Sequence, residues 1–391
     1  MSDIVIAGAK RTAIGSFLGQ FTGVPTPKLG SIAIKAALEQ AGVAAGDVSE
    51  VIMGCVLPAN LGQAPARQAS LEAGLPVGTG CTTINKVCGS GMKAIMLAHD
   101  LIKAGSASIV VAGGMESMTN APHMVNARTG IRYGDGQLVD HMAWDGLTNP
   151  YDGKAMGVFG EQCADKYSFT REAQDAYAIT SVERAQAAQK AGAFANEIVP
   201  VTVQGRKGAQ DFAEDEQPGR SDTAKIPTLR AAFRKENGTI TAASSSSISD
   251  GAAALVLLSA DDAKAKGLTA LARVVAHATH SQEPEWFTTA PVGAIQKVLA
   301  KAGWQVGDVD LFEINEAFAV VPMAVMRELD VPHEKINVNG GACALGHPIG
   351  ASGARIVVTL LNALTARGAK RGVASLCIGG GEATAIAIEL M

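Results

Sequence analysis

Leu38–Val48 reads LEQAGVAAGDV, and 261 positions further along Leu299–Val309 reads LAKAGWQVGDV. Each copy has the pattern of an amphipathic helix end, a glycine C-cap and a strand, Val51-Ile52-Met53 in one and Leu311-Phe312-Glu313-Ile314 in the other. The parallel runs on. Gly89-Ser90-Gly91-Met92-Lys93-Ala94 opens a helix that ends near Gly105 and leads to a strand at Ile109–Ala112 and then Gly113-Gly114. Gly350-Ala351-Ser352-Gly353-Ala354-Arg355 opens a second helix, leading to Val373–Ile378 and Gly379-Gly380-Gly381. Chance repeats one helix end, but not two successive βα units in the same order at nearly the same offset. The chain therefore reads as an α/β protein of two duplicated halves.

Between the halves, roughly Met118–Thr241, the periodicity lapses. This stretch holds all four tyrosines, turn clusters at Gly130–Gly136 and Gly146–Gly153, and a mixed-charge run from Arg206 to Glu236. It is expected to be an excursion that covers an active site, after which Ala252–Leu258 rejoins the sheet of the first half. The expected boundaries are 1–118 with 242–268 for the first half, 119–241 for the inserted loop domain, and 269–391 for the second half.

Hydrophobic residues make up 47% of the chain and charged residues 18%, a balance that fills a large core and excludes a disordered chain. No aliphatic run reaches the length of a membrane span. Met1 leads straight into Ile4-Val5-Ile6, so no secretory signal is read and a cytoplasmic protein is expected. A net charge of −4 supplies no field for nucleic acid. Six cysteines, at 55, 81, 88, 163, 343 and 377, lack paired spacing. That argues against a disulfide framework or a zinc site, and no metal is expected.

Cys88 sits in Asn85-Lys86-Val87-Cys88-Gly89-Ser90-Gly91, at the start of a helix. Free N–H groups and the partial positive charge there favour a thiolate, and the glycines let a carbonyl approach the backbone. The plain alternative is a buried core cysteine. His347, in Gly346-His347-Pro348, precedes the equivalent helix of the second half; an imidazole there serves as a base for a thiol, or merely caps a turn. Cys377 ends a buried strand before three glycines whose N–H groups suit an oxyanion hole, and reads equally as a core residue or an acid/base group. Asn315 and Glu316 form a polar pair among apolar neighbours, either as part of a site or as a helix N-cap at Asn315.

Five separated motifs, NKVCGSGMKA, VAGGMESM, NEAFA, NVNGGACALGHPIGASGARI and CIGGG, occur in one order along the chain. Together they resemble the thiolase family, in particular its short-chain acetyl-CoA acetyltransferases of the mitochondrial acetoacetyl-CoA type. The resemblance implies a five-layered αβαβα thiolase fold with an inserted loop domain. It implies reversible condensation of two acetyl-CoA to acetoacetyl-CoA and coenzyme A, with coenzyme A as co-substrate and no permanently bound cofactor. By motif match, Cys88 carries the acyl group, His347 activates it, and Cys377 moves the proton at the α-carbon. Asn315 holds a water that shares one oxyanion hole with His347, and the N–H groups of Cys88 and Gly379 form the other. Arg220 matches an arginine near the adenine and Ser246 a serine near the pantetheine. Leu147, Met156, Ala242, Ala317 and Phe318 match the lining of the pantetheine tunnel. A homotetramer built as a dimer of dimers is implied as well.

Some positions depart from the family pattern. Ala155 stands where relatives carry histidine, and Ser244 and Ser249 replace two asparagines. Pro218 replaces a tyrosine that helps hold potassium, so that ion is not expected. Cys343 is an extra thiol four residues before His347. These departures bear on affinity and acyl-chain preference and leave the catalytic set whole. A broader-chain 3-ketoacyl-CoA thiolase is one alternative. A decarboxylating ketoacyl synthase is another, which needs a second histidine in place of Asn315 and lacks a cysteine like Cys377. The third is an acyl-CoA-binding protein on a degenerate thiolase fold, against which the complete catalytic set argues.

Overall fold

The computed structural model describes residues 2–205 and 208–391; Arg206, the head of the mixed-charge run, lies outside them. β1 (Ile4–Thr12) and the two-residue β2 (Gly15–Ser16) lead to α1 (Thr26–Ala41), closed by Gly42 in the left-handed conformation. β3 (Glu50–Gly54), α2 (Pro65–Glu72), β4 (Gly80–Ile84), α3 (Ser90–Lys103) and β5 (Val110–Ser117) follow. The inserted stretch contributes β6 (His123–Met124), β7 (Val139–Asp140), α4 (Met156–Tyr167) and α5 (Arg171–Lys190). It ends with β8 (Ile198–Val199), β9 (Val201–Gly205), β10 (Gly208–Phe212) and the single turn α6 (Glu216–Arg220). β11 (Ser249–Ser259) and α7 (Ala260–Ala265) bring the chain back. The second half runs β12 (Ala272–Ser281), α8 (Ala290–Ala302), β13 (Leu311–Ile314) and α9 (Val320–Leu329). It closes with α10 (Ala342–Leu345), α11 (Ile349–Arg367), β14 (Arg371–Ile378) and β15 (Glu382–Leu390).

The repeat offset persists in three dimensions. α1 and α8 both end on a left-handed glycine, Gly42 at φ 67° and Gly303 at φ 69°. β13 begins 261 residues after β3, and β14 the same distance after β5. The strands follow the order β13-β14-β15-β12-β1-β11-β5-β3-β4, which mirrors itself about the β1–β12 junction. One difference marks the halves: among the described residues β4 has no full counterpart, and a bridge between Ile336 and Phe312 stands in its place. The strand returning after the insert, β11, is wholly buried but for its last residue and pairs with both β1 and β5.

Alternate residues of each strand serve different layers, as a period of two requires. Ala253, Leu255 and Leu257 of β11 face a central core, whereas Ala252, Ala254, Val256 and Leu258 face α1. The central core also takes Met92, Ile95 and Met96 from α3, Ile356, Val357 and Leu360 from α11, and Leu376 and Ile386 from the second half's strands. A third core lies under α8 and α9. Outer helices, strands, two inner helices, strands and outer helices make five layers. α11 is long and apolar enough to cross a membrane, but 83% of that window is buried here, because it is a helix enclosed on all sides.

The two inner helices touch at glycines. A Cβ on Gly353 would stand 2.4 Å from the Met92 backbone nitrogen, and one on Gly91 would stand 2.8 Å from the Ala354 nitrogen. Both obstacles are backbone, so neither can swing aside. Gly353→Ala should therefore push α3 and α11 apart and cost about 1–3 kcal/mol or more. Calorimetry should show a melting temperature lowered by several degrees; an unchanged transition would mean that this contact does not set the helix spacing.

Candidate active site

Cys88 ends a tight turn that the chain closes with its own side chains. Asn85 Oδ1 accepts the Val87 N–H at 2.8 Å, Ser90 Oγ accepts the Lys86 N–H at 2.8 Å, and the Ser90 hydroxyl donates to the Val87 carbonyl at 2.7 Å. Val87 is held at φ 46°, a left-handed conformation costly for a β-branched residue. The strain turns the Cys88 sulfur toward two N–H groups, its own and that of Gly379. Burial pushes the Cys88 thiol up to about 11, against the pull of those N–H groups, with the Glu116 charge adding to the rise. The resting nucleophile is a protonated thiol and needs a base.

His347 is placed two residues before α11, as Cys88 is two residues before α3. Its Nδ1 lies 2.5 Å from Ser352 Oγ. The Ser352 hydroxyl spends its proton on the Pro348 carbonyl at 3.0 Å, so Oγ accepts from Nδ1–H and the Nε2 lone pair is left free. Nε2 in turn faces Asn315 Nδ2 at 3.5 Å. Burial, helped by Arg355, pushes the imidazole down to about 3, so it is neutral at physiological pH and able to take a proton. Its backbone N–H is held by Ser247 O at 3.1 Å and Ser249 Oγ at 3.3 Å. The serine run thus has a task in this chain, which is to fix the histidine.

Asn315 follows β13, wholly buried, and its N–H donates to the Ser375 carbonyl at 3.0 Å. The helix-cap alternative fails, because α9 starts only at Val320. Asn315 Oδ1 is buried without a protein partner. Glu316 does a different job. Its carboxylate accepts from Tyr177 Oη (2.9 Å) and Ser181 Oγ (2.7 Å) of α5, from Asn337 Nδ2 (2.7 Å), and from the Cys343 N–H (3.0 Å). α5 and the loop leading to His347 are tied to one carboxylate. Cys343 is enclosed in this knot, with its thiol against the Glu316 carbonyl at 3.8 Å.

Cys377, buried at the end of β14, is pushed far above the usual thiol range by burial and then by the neighbouring Cys88. Gly379 follows it. Met156, first residue of α4, brings its Cε within 3.5 Å of where a Cβ on Gly379 would stand. Leu147 packs with Cys88 against Val56, Leu57, Met118, Met142 and Ile349. Ser246 donates its N–H to the Ala317 carbonyl at 3.0 Å, and Phe318 meets Phe233 edge-on at 5.8 Å. Ala242 is exposed at the outer end of this strip. Arg220 stands apart on α6, at the surface and ion-paired with Glu216.

Two groups escaped the sequence reading of roles. Glu116 of β5 accepts the N–H groups of Val56 (2.9 Å), Leu57 (3.1 Å) and Gly350 (2.9 Å), joining the β3 exit to the start of α11. Burial pushes its carboxyl up to about 7 despite those bonds. The signal for it was a lone acid in an otherwise apolar strand. Ser352, five residues after His347, looked like one more small residue of a glycine-rich helix start.

The sequence model of the thiolase N-terminal domain matches residues 4–261, and that of the thiolase C-terminal domain matches 268–390. The chain belongs to the thiolase family. Acetyl-CoA acetyltransferase 2 of Arabidopsis thaliana is 53% identical over 100% of this chain and 97% of its own length. Acetyl-CoA acetyltransferase of Pseudomonas aeruginosa is 50% identical over 99% of each. The crystal structure of a thiolase from Ascaris suum in complex with coenzyme A superposes with a TM-score of 0.95, at 44% identity and full coverage of both chains.

Two measurements separate the roles drawn above. In this thiolase, Asn315→Ala should leave the melting temperature nearly unchanged. Glu316→Ala, which strands four buried donors, should cost about 3–5 kcal/mol in urea unfolding. Equal effects on stability would contradict the assignment. Alkylation of Cys88 by iodoacetamide should rise about tenfold per pH unit from pH 7 to 9, as a thiol well above its ordinary range requires; a plateau near neutrality would show a preformed thiolate.

Proposed function

We propose that this thiolase interconverts two acetyl-CoA with acetoacetyl-CoA and free coenzyme A through an acyl-Cys88 intermediate. The observation that carries the reading is the pairing of donors and base. The N–H groups of Cys88 and Gly379 converge on one sulfur, and a neutral His347 keeps Nε2 free. In synthesis, His347 Nε2 takes the thiol proton as Cys88 Sγ attacks the thioester carbonyl of acetyl-CoA. The oxyanion that forms lies between the two N–H groups; the departing coenzyme A takes the Cys377 proton, which leaves Cys377 a thiolate, while His347 keeps the Cys88 proton and the acetyl group stays on sulfur.

A second acetyl-CoA then places its thioester oxygen against the protonated Nε2 of His347 and a water held by Asn315. The orphaned Oδ1 of Asn315, buried and in need of a donor, supports that water. The Cys377 thiolate removes an α-proton, and the carbanion attacks acetyl-Cys88, forming the new carbon–carbon bond and expelling the Cys88 thiolate, which takes its proton back from His347. A thiol raised so far is a strong base once ionised, and His347 and Asn315 stabilise the enolate it makes. Thiolysis runs the same steps in reverse. Leu147, Met156, Ser246, Ala317 and Phe318 would hold the pantetheine arm. The likeness to a thiolase solved with coenzyme A supports that assignment, with Arg220 and Ala242 further out.

Short acyl chains are favoured because Met156 closes over Gly379 and Phe318 is braced by Phe233 and Phe287. Thiolysis should be fastest with acetoacetyl-CoA and fall steeply toward 3-ketodecanoyl-CoA; the opposite order would favour the broader-chain alternative. Tetramer formation is supported by the exposed apolar side chains Val125, Ile131, Tyr133 and Leu138 around the β6–β7 hairpin. The roles of the cysteines divide in one experiment. After incubation with acetyl-CoA, mass spectrometry should find an acetyl group on Cys88 in both the native enzyme and Cys377→Ala. Condensation by that variant should drop by about 10²–10⁴. An adduct elsewhere, or none, would refute the covalent mechanism and leave a binding protein.

A further inference from the structure

Toward the C-terminal end of α3, away from the reacting groups, His99 and Asp100 meet His277 of β12, a strand of the other half. His99 Nδ1 and Asp100 Oδ1 are 2.9 Å apart, and His277 Nε2 is 2.9 Å from the same oxygen and 3.2 Å from His99 Nδ1. Three potential ligand atoms therefore form a nearly equilateral triangle. The imidazoles stand edge to face, with centroids 4.9 Å apart and planes at 83°.

Protons can fill this triangle, each ring donating an N–H to the same Asp100 oxygen, and a single cation can take their place with the three atoms as its ligands. Ligand atoms about 2.0–2.2 Å from an ion, at angles between those of an octahedron and a tetrahedron, lie about 2.8–3.6 Å from one another. The observed edges fall in that range. Two imidazoles and a carboxylate favour the zinc class of ions over magnesium or calcium, which prefer all-oxygen sites.

We propose that His99, Asp100 and His277 form a binding site for a divalent transition-metal ion of the zinc class, with solvent completing the coordination. Lys301 donates to the backbone carbonyl of His277 at 3.0 Å and is the cation that the ion must tolerate. The Asp100 side chain is 54% exposed and the two histidines under a fifth, so the site has a protein floor and an open side. His99 lies about 15 Å along α3 from Cys88, at about 1.5 Å per residue. The ion would thus act as a clip between the halves and take no part in the chemistry. Sequence spacing could not announce it, because His277 is 178 positions from His99.

The test uses the full-length, untagged enzyme, stripped with EDTA and titrated with Zn²⁺ and then Co²⁺ by calorimetry and visible spectroscopy. The expected result is one ion per chain, a cobalt spectrum without a thiolate charge-transfer band, and a melting temperature raised by several degrees with metal. His277→Gln and, independently, the surface-facing Asp100→Asn should abolish the binding and the thermal shift. Both should keep the metal-free melting temperature and thiolase activity of the native chain. Absence of stoichiometric binding to the native enzyme, binding retained by the variants, or a thiolate band would overturn the proposal.

Discussion

Everything in the site depends on two helices approaching until their backbones touch. α3 and α11 meet where Gly91 faces Ala354 and Gly353 faces Met92, at distances that leave no room for a Cβ. Because each helix opens just after one reactive residue, the glycine contact sets the spacing between Cys88 and His347. Duplication supplies the symmetry of this arrangement. Each half contributes one inner helix with its N-terminus at the same end, and each loop before it has acquired a different side chain. A single half would bury one face of its sheet and leave its inner helix with nothing to pack on.

Burial then decides how these groups behave. A thiol and an imidazole enclosed together share no charge at rest, since burial raises one and lowers the other. The ionised pair is reached only when a substrate brings an oxygen to the N–H groups of Cys88 and Gly379. The cost of desolvation is thereby held in the ground state and relieved as negative charge develops, which is how preorganised donors accelerate acyl transfer. Strain at Val87 belongs to the same design: a rare backbone angle is maintained by three hydrogen bonds from Asn85 and Ser90.

Much of the architecture was legible in the sequence because it rests on local rules. The repeated Ala-Gly and Gly-Asp-Val fixed the left-handed caps at Gly42 and Gly303 and the strands after them, since only glycine adopts that turn at no cost. Cys88, His347 and Cys377 stood out because each borders glycines at an element end. What stayed hidden was pairing across the chain. Asn315 and Glu316 are adjacent and equally polar, and only their partners, 32 residues away for one and up to 139 for the other, show that they do different work. The serine run read as a loss of two asparagines, whereas Ser249 gains the His347 N–H. The short β5 expected at 109–112 extends to Ser117, because Gly113 and Gly114 lie flat in the sheet against β11 and α11 instead of ending it.

The Glu316 knot bears on how substrates come and go. Tyr177 and Ser181 fasten α5 to the carboxylate that also holds the Cys343 N–H, four residues ahead of His347. Swinging α5 outward would break those bonds and free the loop that leads to His347. An acyl carrier has to reach Cys88 and leave again with α5 held where it is, so each exchange of substrate spares the bonds that keep His347 in register.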